Sequence, residues 1–161
     1  MIVNAKTLCL MWHMLVIEDK NIYLTDEQLQ TACEYSQEII DASYANNIDP
    51  FIISSLIYNE SRYTKEVTNE EGACGLGQIV HKYVPETCEE LKNPTVNIKK
   101  IAEIISSYLH QKKTIKEALV CYASGPKCTY KKYGNWITYL SKKLQKSYKK
   151  VIEKQNVESS N

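Results

Sequence analysis

Glycine and proline are so scarce in this chain that few of its 161 residues can break a helix. Only five glycines and four prolines occur, and three of the glycines fall within six residues, at Gly72, Gly75 and Gly77. Elsewhere apolar residues recur with the period of about 3.6 residues that is typical of a helix with one buried face. The sequence therefore predicts an all-α (mainly α) domain. A small irregular or β-like loop region is expected within residues 64–92, together with short helical pieces.

Local capping signals predict where the helices begin. Asp49 and Asn93 each precede a proline that would occupy the first helical position. Thr25 and Thr114 each open a capping box, with Gln or Glu three residues later. The predicted helices cover residues 26–44, 50 to about 60, 94–109, 114–122 and 135–153.

The composition indicates one ordinary globular domain, with 43% hydrophobic and 24% charged residues and a net charge of +1. No apolar run of about 18 residues predicts a membrane span. The charge is uneven, because residues 127–161 carry +7 and residues 1–126 carry −6. This basic end is either a solvated helix face or a surface for an anionic wall polymer, a membrane or nucleic acid. Nucleic acid fits least, because few aromatics lie among the lysines Lys142, Lys143, Lys146, Lys149, Lys150 and Lys154.

Residues 1–20 hold an apolar segment, residues 21–153 form the expected main domain, and residues 154–161 are expected to be a frayed tail. Lys6 precedes the apolar run of residues 8–17, which has the length and polarity of a secretion signal. His13 interrupts that run, and no Ala-x-Ala cleavage site follows it. A segment that packs in the core or docks on a partner therefore fits better than a signal.

The six cysteines form no Cys-x-x-Cys pair and no tight cluster with histidine, so the sequence predicts no metal site. Their pairing cannot be deduced from spacing alone. A core of this size does not need disulfides, and we expect mostly buried thiols.

Glu60 is the side chain that most needs an explanation. It follows Leu56 and Ile57 by four and three positions, so it continues the apolar face of its helix. Burial would raise the pKa of the Glu60 carboxyl and favour its protonated form, as a general acid requires. Spacing alone leaves a second interpretation open, in which Glu60 reaches solvent or pairs with Arg62 or Lys65.

Several blocks of sequence resemble the soluble lytic transglycosylase family, which is similar in core fold to goose-type lysozymes. Residues 57–63 (IYNESRY) resemble the family's Glu-Ser-x-aromatic motif. Residues 72–79 (GACGLGQI), twelve residues after Glu60, resemble its Gly-Ala-x-Gly-Leu-Met-Gln-Ile motif. Residues 118–126 (ALVCYASGP) resemble its Ala-Leu-x-Ala-Tyr-Asn-Ala-Gly-Pro motif. The helix from Asn97 to Leu109 and the pair Tyr139-Leu140 complete the family's order over residues 40–145.

The resemblance implies that residues 21–153 form a lysozyme-like helical catalytic domain with a substrate cleft, and it assigns roles within that domain. Glu60 would be the catalytic acid/base, and Tyr139 would be its hydrogen-bond partner. The substrate-binding residues implied are Ser61, Gly75, Leu76, Gln78, Tyr122 and Tyr139.

Two positions depart from the family pattern. Ala123 replaces the asparagine of the third block, which removes an amide that would contact substrate. Gly77 replaces the usual methionine, which removes apolar lining and is expected to loosen the loop. Neither change affects Glu60.

The activity implied is cleavage of peptidoglycan strands between N-acetylmuramic acid and N-acetylglucosamine, with a single Glu and a 1,6-anhydro product. No cofactor and no metal are implied. The alternatives are a hydrolytic lysozyme and a glycan-binding or assembly module without turnover. By analogy, such a domain would act at the bacterial cell wall, in phage lysis, on a virion or in a secretion apparatus.

Overall fold

The structure, a computed structural model, describes residues 1–111 and 113–158 and is mainly helical, as the sequence predicts. A two-stranded antiparallel sheet in the central loop region pairs β1 (Ala73–Cys74) with β2 (Ile79–Val80). Short 3-10 helices cover His81–Tyr83 and Gly125–Lys127. The α-helices are α1 (Ala5–Glu18), α2 (Asp26–Glu34), α3 (Ser36–Ala45), α4 (Pro50–Ser61), α5 (Cys88–Leu91), α6 (Pro94–His110), α7 (Ile115–Ser124) and α8 (Lys131–Glu158).

Helix α4 forms the centre of the core. All nine residues from 50 to 58 are buried, and α4 packs against α3, α6 and α8. Asp49 caps its first turn by accepting a hydrogen bond from the Phe51 backbone N–H at 2.9 Å. A helix whose side chains are buried on every side must be enclosed by other elements. The fold therefore surrounds α4, and only its last turn reaches the surface.

The apolar N-terminal segment is helix α1, and it packs into the same core. Leu8, Met11 and Trp12 are fully buried. The Trp12 indole stacks on the Tyr58 ring with centroids 5.3 Å apart, and its N–H donates to the Ser54 hydroxyl at 3.2 Å. Among the described residues, no helix is both long enough and apolar enough to cross a membrane.

Two of the predicted helices differ clearly from those in the structure. The helix expected over residues 26–44 is divided at Tyr35 into α2 and α3. Helix α8 is longer than expected at both ends and includes residues 154–158, which the sequence predicts to be part of a frayed tail. These last turns pack on α1, where Glu18 pairs with Lys150 and Lys154, and that support explains their helical form. Residues 159–161 of the expected tail lie outside the described residues.

The expectation of free thiols is wrong, because all six cysteines form disulfides. Cys9–Cys33 joins α1 to α2, Cys74–Cys88 joins β1 to α5, and Cys121–Cys128 closes the end of α7. Each pair is brought together by the packing of separate elements or by a tight turn, and sequence spacing does not show this. Disulfides persist mainly in oxidising compartments.

Candidate active site

Glu60 lies in the last turn of α4, where the enclosed helix leaves the core. The Tyr133 hydroxyl donates a hydrogen bond to Glu60 Oε1, and the Asn59 side-chain amide donates to the same oxygen at 3.4 Å. Burial raises the pKa of the Glu60 carboxyl, and these two hydrogen bonds oppose the rise because they favour the ionised form. The carboxyl can therefore hold a proton at a higher pH than an ordinary glutamate.

Tyr133, rather than Tyr139, is the hydrogen-bond partner of Glu60, so the sequence assignment was wrong. Helix α8 begins at Lys131, four residues earlier than expected, which places Tyr133 in its first turn and leaves it only 7% exposed. Tyr139 lies six residues later and is 58% exposed, with its ring stacked on Trp136. Because the sequence prediction began α8 at residue 135, it left Tyr133 outside the helix. A start at Lys131 would have made Tyr133 a candidate partner of Glu60.

A second tyrosine borders the same carboxyl. The Tyr122 hydroxyl donates to the Gly77 carbonyl at 2.6 Å. Burial raises the pKa of Tyr122 well above its ordinary value, and the charge of Glu60 adds to that rise. The structure thus brings Glu60 of α4, Tyr122 of α7 and Tyr133 of α8 together.

The glycine loop between β1 and β2 is held by the fully buried Asn97 side chain, whose structural role the sequence analysis missed. Asn97 Oδ1 accepts from the Gly77 N–H at 2.8 Å. Asn97 Nδ2 donates to the carbonyls of Cys74 at 3.0 Å and Leu91 at 2.7 Å. The one side chain therefore joins α6, the loop and the end of α5. An asparagine one turn into a helix, within an otherwise apolar stripe, was the available signal.

Two glycines are required by this close packing. Gly75 has φ +70°, and a Cβ atom there would lie 2.2 Å from the Leu91 carbonyl oxygen. A Cβ atom on Gly77 would lie 2.5 Å from Ile101 Cγ1 and 2.6 Å from the Tyr122 hydroxyl oxygen. The expectation that Gly77 loosens the loop is therefore wrong. The Tyr122 hydroxyl and Ile101 occupy the space that a side chain at Gly77 would need.

The other residues predicted to bind substrate make internal contacts. Leu76 is fully buried in the core. Gln78 Nε2 donates to the carbonyls of Val67 at 3.2 Å and Gly75 at 3.0 Å. The Ser61 hydroxyl donates to the Ile57 carbonyl at 3.3 Å within α4. Ser61 and Gln78 are still partly exposed. The hydrogen bonds hold the Ser61 side chain next to Glu60 in sequence and the Gln78 side chain at the glycine loop.

The C-terminal lysines fall into two groups. Lys143 pairs with Asp19, and Lys150 and Lys154 pair with Glu18. The others are exposed and make no ion pair among the described residues; they are Lys142, Lys146 and Lys149.

One group of potential metal ligands occurs among the described residues, and it does not include Glu60. Ligand atoms of Cys9, His13 and Cys33 lie within 4.8 Å of one another. The sequence analysis missed this group because Cys33 lies on a different helix. The two sulfurs are joined in a disulfide, so neither is a thiolate that could bind a metal.

The fold and the site together define a lysozyme-like helical domain with one partly buried carboxylic acid beside a glycine-rich loop. The family model for the transglycosylase SLT domain matches residues 37–148, which is more than half of the chain. The chain belongs to that family, and its general function is peptidoglycan cleavage of the lytic transglycosylase type. The matched range contains Glu60, Asn97, Tyr122 and Tyr133. Neither a search of curated proteins nor a search of solved structures finds a significant match to the chain.

Replacement of Asn97 by Ala should destabilise the protein strongly. The change leaves the Gly77 N–H and the carbonyls of Cys74 and Leu91 buried without their partner, at about 1–3 kcal/mol for each such group. Urea denaturation should show a loss of at least about 3 kcal/mol in the free energy of unfolding. The control Asn135→Ala, at an exposed position of α8, should change it little. Equal stabilities for the two variants would contradict the role of Asn97.

Replacement of Tyr133 by Phe should raise the pKa of Glu60 further. The tyrosine hydroxyl donates to the carboxylate and favours its ionised form, and phenylalanine cannot donate. The control Tyr139→Phe should leave the pKa unchanged, because Tyr139 is exposed and stacks on Trp136. A carbon-13 NMR titration of the Glu60 carboxyl measures both. If the pKa of Glu60 rose in Tyr139→Phe and not in Tyr133→Phe, Tyr139 would be the hydrogen-bond partner of Glu60, as the sequence analysis expected.

Proposed function

We propose that the protein cleaves peptidoglycan between N-acetylmuramic acid and N-acetylglucosamine, with Glu60 as its single acid/base and a 1,6-anhydro sugar as product. The observation that supports this most directly is the surroundings of the Glu60 carboxyl. Its pKa is raised by burial and adjusted by two neutral side chains, Tyr133 and Asn59. The two hydrogen-bond partners of this carboxyl are Tyr133 and Asn59, and no carboxylate among the described residues is a cause of the rise in its pKa.

In the proposed reaction, protonated Glu60 gives its proton to the glycosidic oxygen, and the bond from that oxygen to the anomeric carbon breaks. The N-acetyl carbonyl of the muramic acid residue stabilises the positive charge that develops at this carbon. The Glu60 carboxylate then takes the proton of the same sugar's 6-hydroxyl, whose oxygen bonds to the anomeric carbon. Glu60 recovers its proton, and no water is consumed.

Tyr133 has a defined part in this cycle. Glu60 is ionised between the two proton transfers, and a buried carboxylate without a donor is unfavourable. The Tyr133 hydroxyl supplies that donor, and the raised pKa of Tyr133 keeps it protonated. The carboxyl can therefore act first as acid and then as base within one site.

The three disulfides support action outside a reducing compartment, where the bacterial cell wall lies. The general family function gives the same site of action.

Replacement of Glu60 by Gln should abolish cleavage of peptidoglycan and keep the fold. The amide has the size of the acid and cannot exchange the proton, so the rate of turbidity loss of purified cell walls should fall by a factor of about a hundred or more. The wild-type products should carry 1,6-anhydro ends, which borohydride cannot reduce. Mass spectrometry before and after borohydride treatment would distinguish them from the reducible ends that a lysozyme leaves.

The stability of the same variant is an internal control. Burial raises the pKa of Glu60, so the folded state binds this proton more tightly than the unfolded state does. That stabilisation is complete below the ordinary pKa of glutamate and is lost as the pH rises through the raised value. Glu60→Gln should therefore unfold at no lower a temperature than the wild type at neutral pH. A folded Glu60→Gln protein with normal activity would refute the proposed role.

The exposed lysines Lys142, Lys146 and Lys149 are proposed to hold the enzyme on the anionic wall. Their simultaneous replacement by Gln should weaken binding to intact sacculi and flatten its salt dependence between about 50 and about 300 mM. A matched control replaces the exposed lysines Lys82, Lys116 and Lys127, which gives the same change of net charge. Equal binding by both triple variants in a co-sedimentation assay would mean that the α8 face has no specific role.

A further inference from the structure

A pocket adjoins the Glu60 site, between the end of α4, the connection from α1 to α2, and α8. It has an aromatic wall and a cationic rim, and neither is used by the acid/base chemistry proposed above. The side chains that matter here are Tyr58, Asn59, Arg62, Trp136, Tyr139 and Lys143.

Asn59 links the pocket directly to the catalytic acid. Its side-chain amide donates to Glu60 Oε1, while its Oδ1 accepts from the Trp136 indole N–H at 2.9 Å. Trp136 also follows Tyr133 by one turn of α8, which is about 5 Å along the helix axis. A group attached to the sugar beside the scissile bond can therefore reach the pocket while that bond lies at Glu60.

The aromatic wall is held in position although it is exposed. The rings of Trp136 and Tyr139 stack with centroids 5.8 Å apart and an interplanar angle of 29°, and the two residues are 46% and 58% exposed. Two fixed aromatic faces open to solvent provide a flat apolar surface with a polar edge. Such a surface suits a sugar ring or the backbone of an attached peptide better than a small ion.

The cationic rim contains Arg62, the only arginine of the chain; the other nineteen of its Lys and Arg residues are lysines. Its guanidinium lies 5.5 Å from the centroid of the Tyr58 ring, and no carboxylate among the described residues pairs with it. Lys143 differs, because Asp19 already neutralises it. A guanidinium binds a carboxylate through two parallel hydrogen bonds, which an ammonium cannot do.

The backbone around Arg62 is fixed in an uncommon conformation. Arg62 and Tyr63 have φ of 48° and 61°, in the left-handed region that side chains other than glycine rarely adopt. Tyr63 is 1% exposed, and its hydroxyl shares a hydrogen bond of 2.7 Å with the Ser54 hydroxyl. The turn is thus anchored in the core, so the direction in which Arg62 leaves the backbone is set by the fold.

We propose that this pocket binds the stem peptide of peptidoglycan, with Arg62 holding a peptide carboxylate and the Trp136–Tyr139 pair packing against the peptide or its sugar. The inference rests on the proposed function, because it takes the strand cleaved at Glu60 as the ligand. It adds a recognition element to that site: the enzyme would select strands that still carry their peptides over bare glycan.

The test measures binding in the absence of turnover. Glu60→Gln protein is titrated with two soluble glycan fragments of equal length, one with stem peptides and one from which an amidase has removed them. Calorimetry should give tighter binding of the peptide-bearing fragment. When Arg62→Gln is combined with Glu60→Gln, the Kd of the peptide-bearing fragment should rise about tenfold, the size expected for one charge-assisted contact. The Kd of the bare fragment should stay unchanged.

Two further variants separate the guanidinium from charge in general. Arg62→Lys should recover only part of the affinity, because an ammonium lacks the planar fork. Lys116→Gln, an exposed position on α7 with the same change of charge, should have no effect. Equal affinities for the two fragments, or an equal loss on both when Arg62 is replaced, would overturn the pocket assignment.

The outcome also distinguishes this inference from the proposed function. Cleavage of both fragments by the wild type at equal efficiency, with no effect of Arg62→Gln on binding, would reject the pocket and leave the function intact. Binding of the peptide-bearing fragment that depends on Arg62, without cleavage by the wild type, would support the pocket and reject the function.

Discussion

The enclosure of α4 is the constraint on which the rest of this structure depends. Nine consecutive buried residues cannot be covered by one neighbour, so other helices must pack around α4. Its last turn is the exception, and Glu60 lies there. The acid therefore lies at the end of a helix that is otherwise enclosed, and burial at that position raises its pKa. The packing that encloses α4 stabilises the core, and it also buries the Glu60 carboxyl and so favours its protonated form.

Several long-range contacts then convert this position into a site. Asn97 holds the glycine loop to the core with three hydrogen bonds, and the Tyr122 hydroxyl adds a fourth, to the Gly77 carbonyl. Tyr133 reaches Glu60 from α8. Two of the disulfides, Cys74–Cys88 and Cys121–Cys128, fasten the loop and the end of α7 that carries Tyr122. Each tie joins segments that are distant in sequence or closes a turn, which limits movement around the carboxyl.

The N-terminal helix α1 packs against residues on both sides of Glu60 in the sequence. Trp12 stacks on Tyr58 and meets the Tyr63 ring edge-on with centroids 5.4 Å apart, so it backs the turn that carries Arg62. Ser54 of α4 connects α1 with the turn after Glu60, because its hydroxyl forms hydrogen bonds with both Trp12 and Tyr63. The strained turn after Glu60 is thus stabilised by contacts made within the core, and a substrate need not supply them.

The sequence by itself determined the features that depend on neighbouring residues. Asp49, Asn93 and the capping boxes at Thr25 and Thr114 predicted helix starts that the structure confirms, because a cap is a contact within one turn. The apolar spacing around Glu60 allowed a buried acid, but it also allowed a glutamate that reaches solvent or pairs with Arg62 or Lys65. Only the tertiary structure decided that Tyr133 faces Glu60, which cysteines pair, and that Asn97 holds the loop. Those contacts join residues on separate elements, and their distances depend on how whole helices pack, which local spacing does not specify.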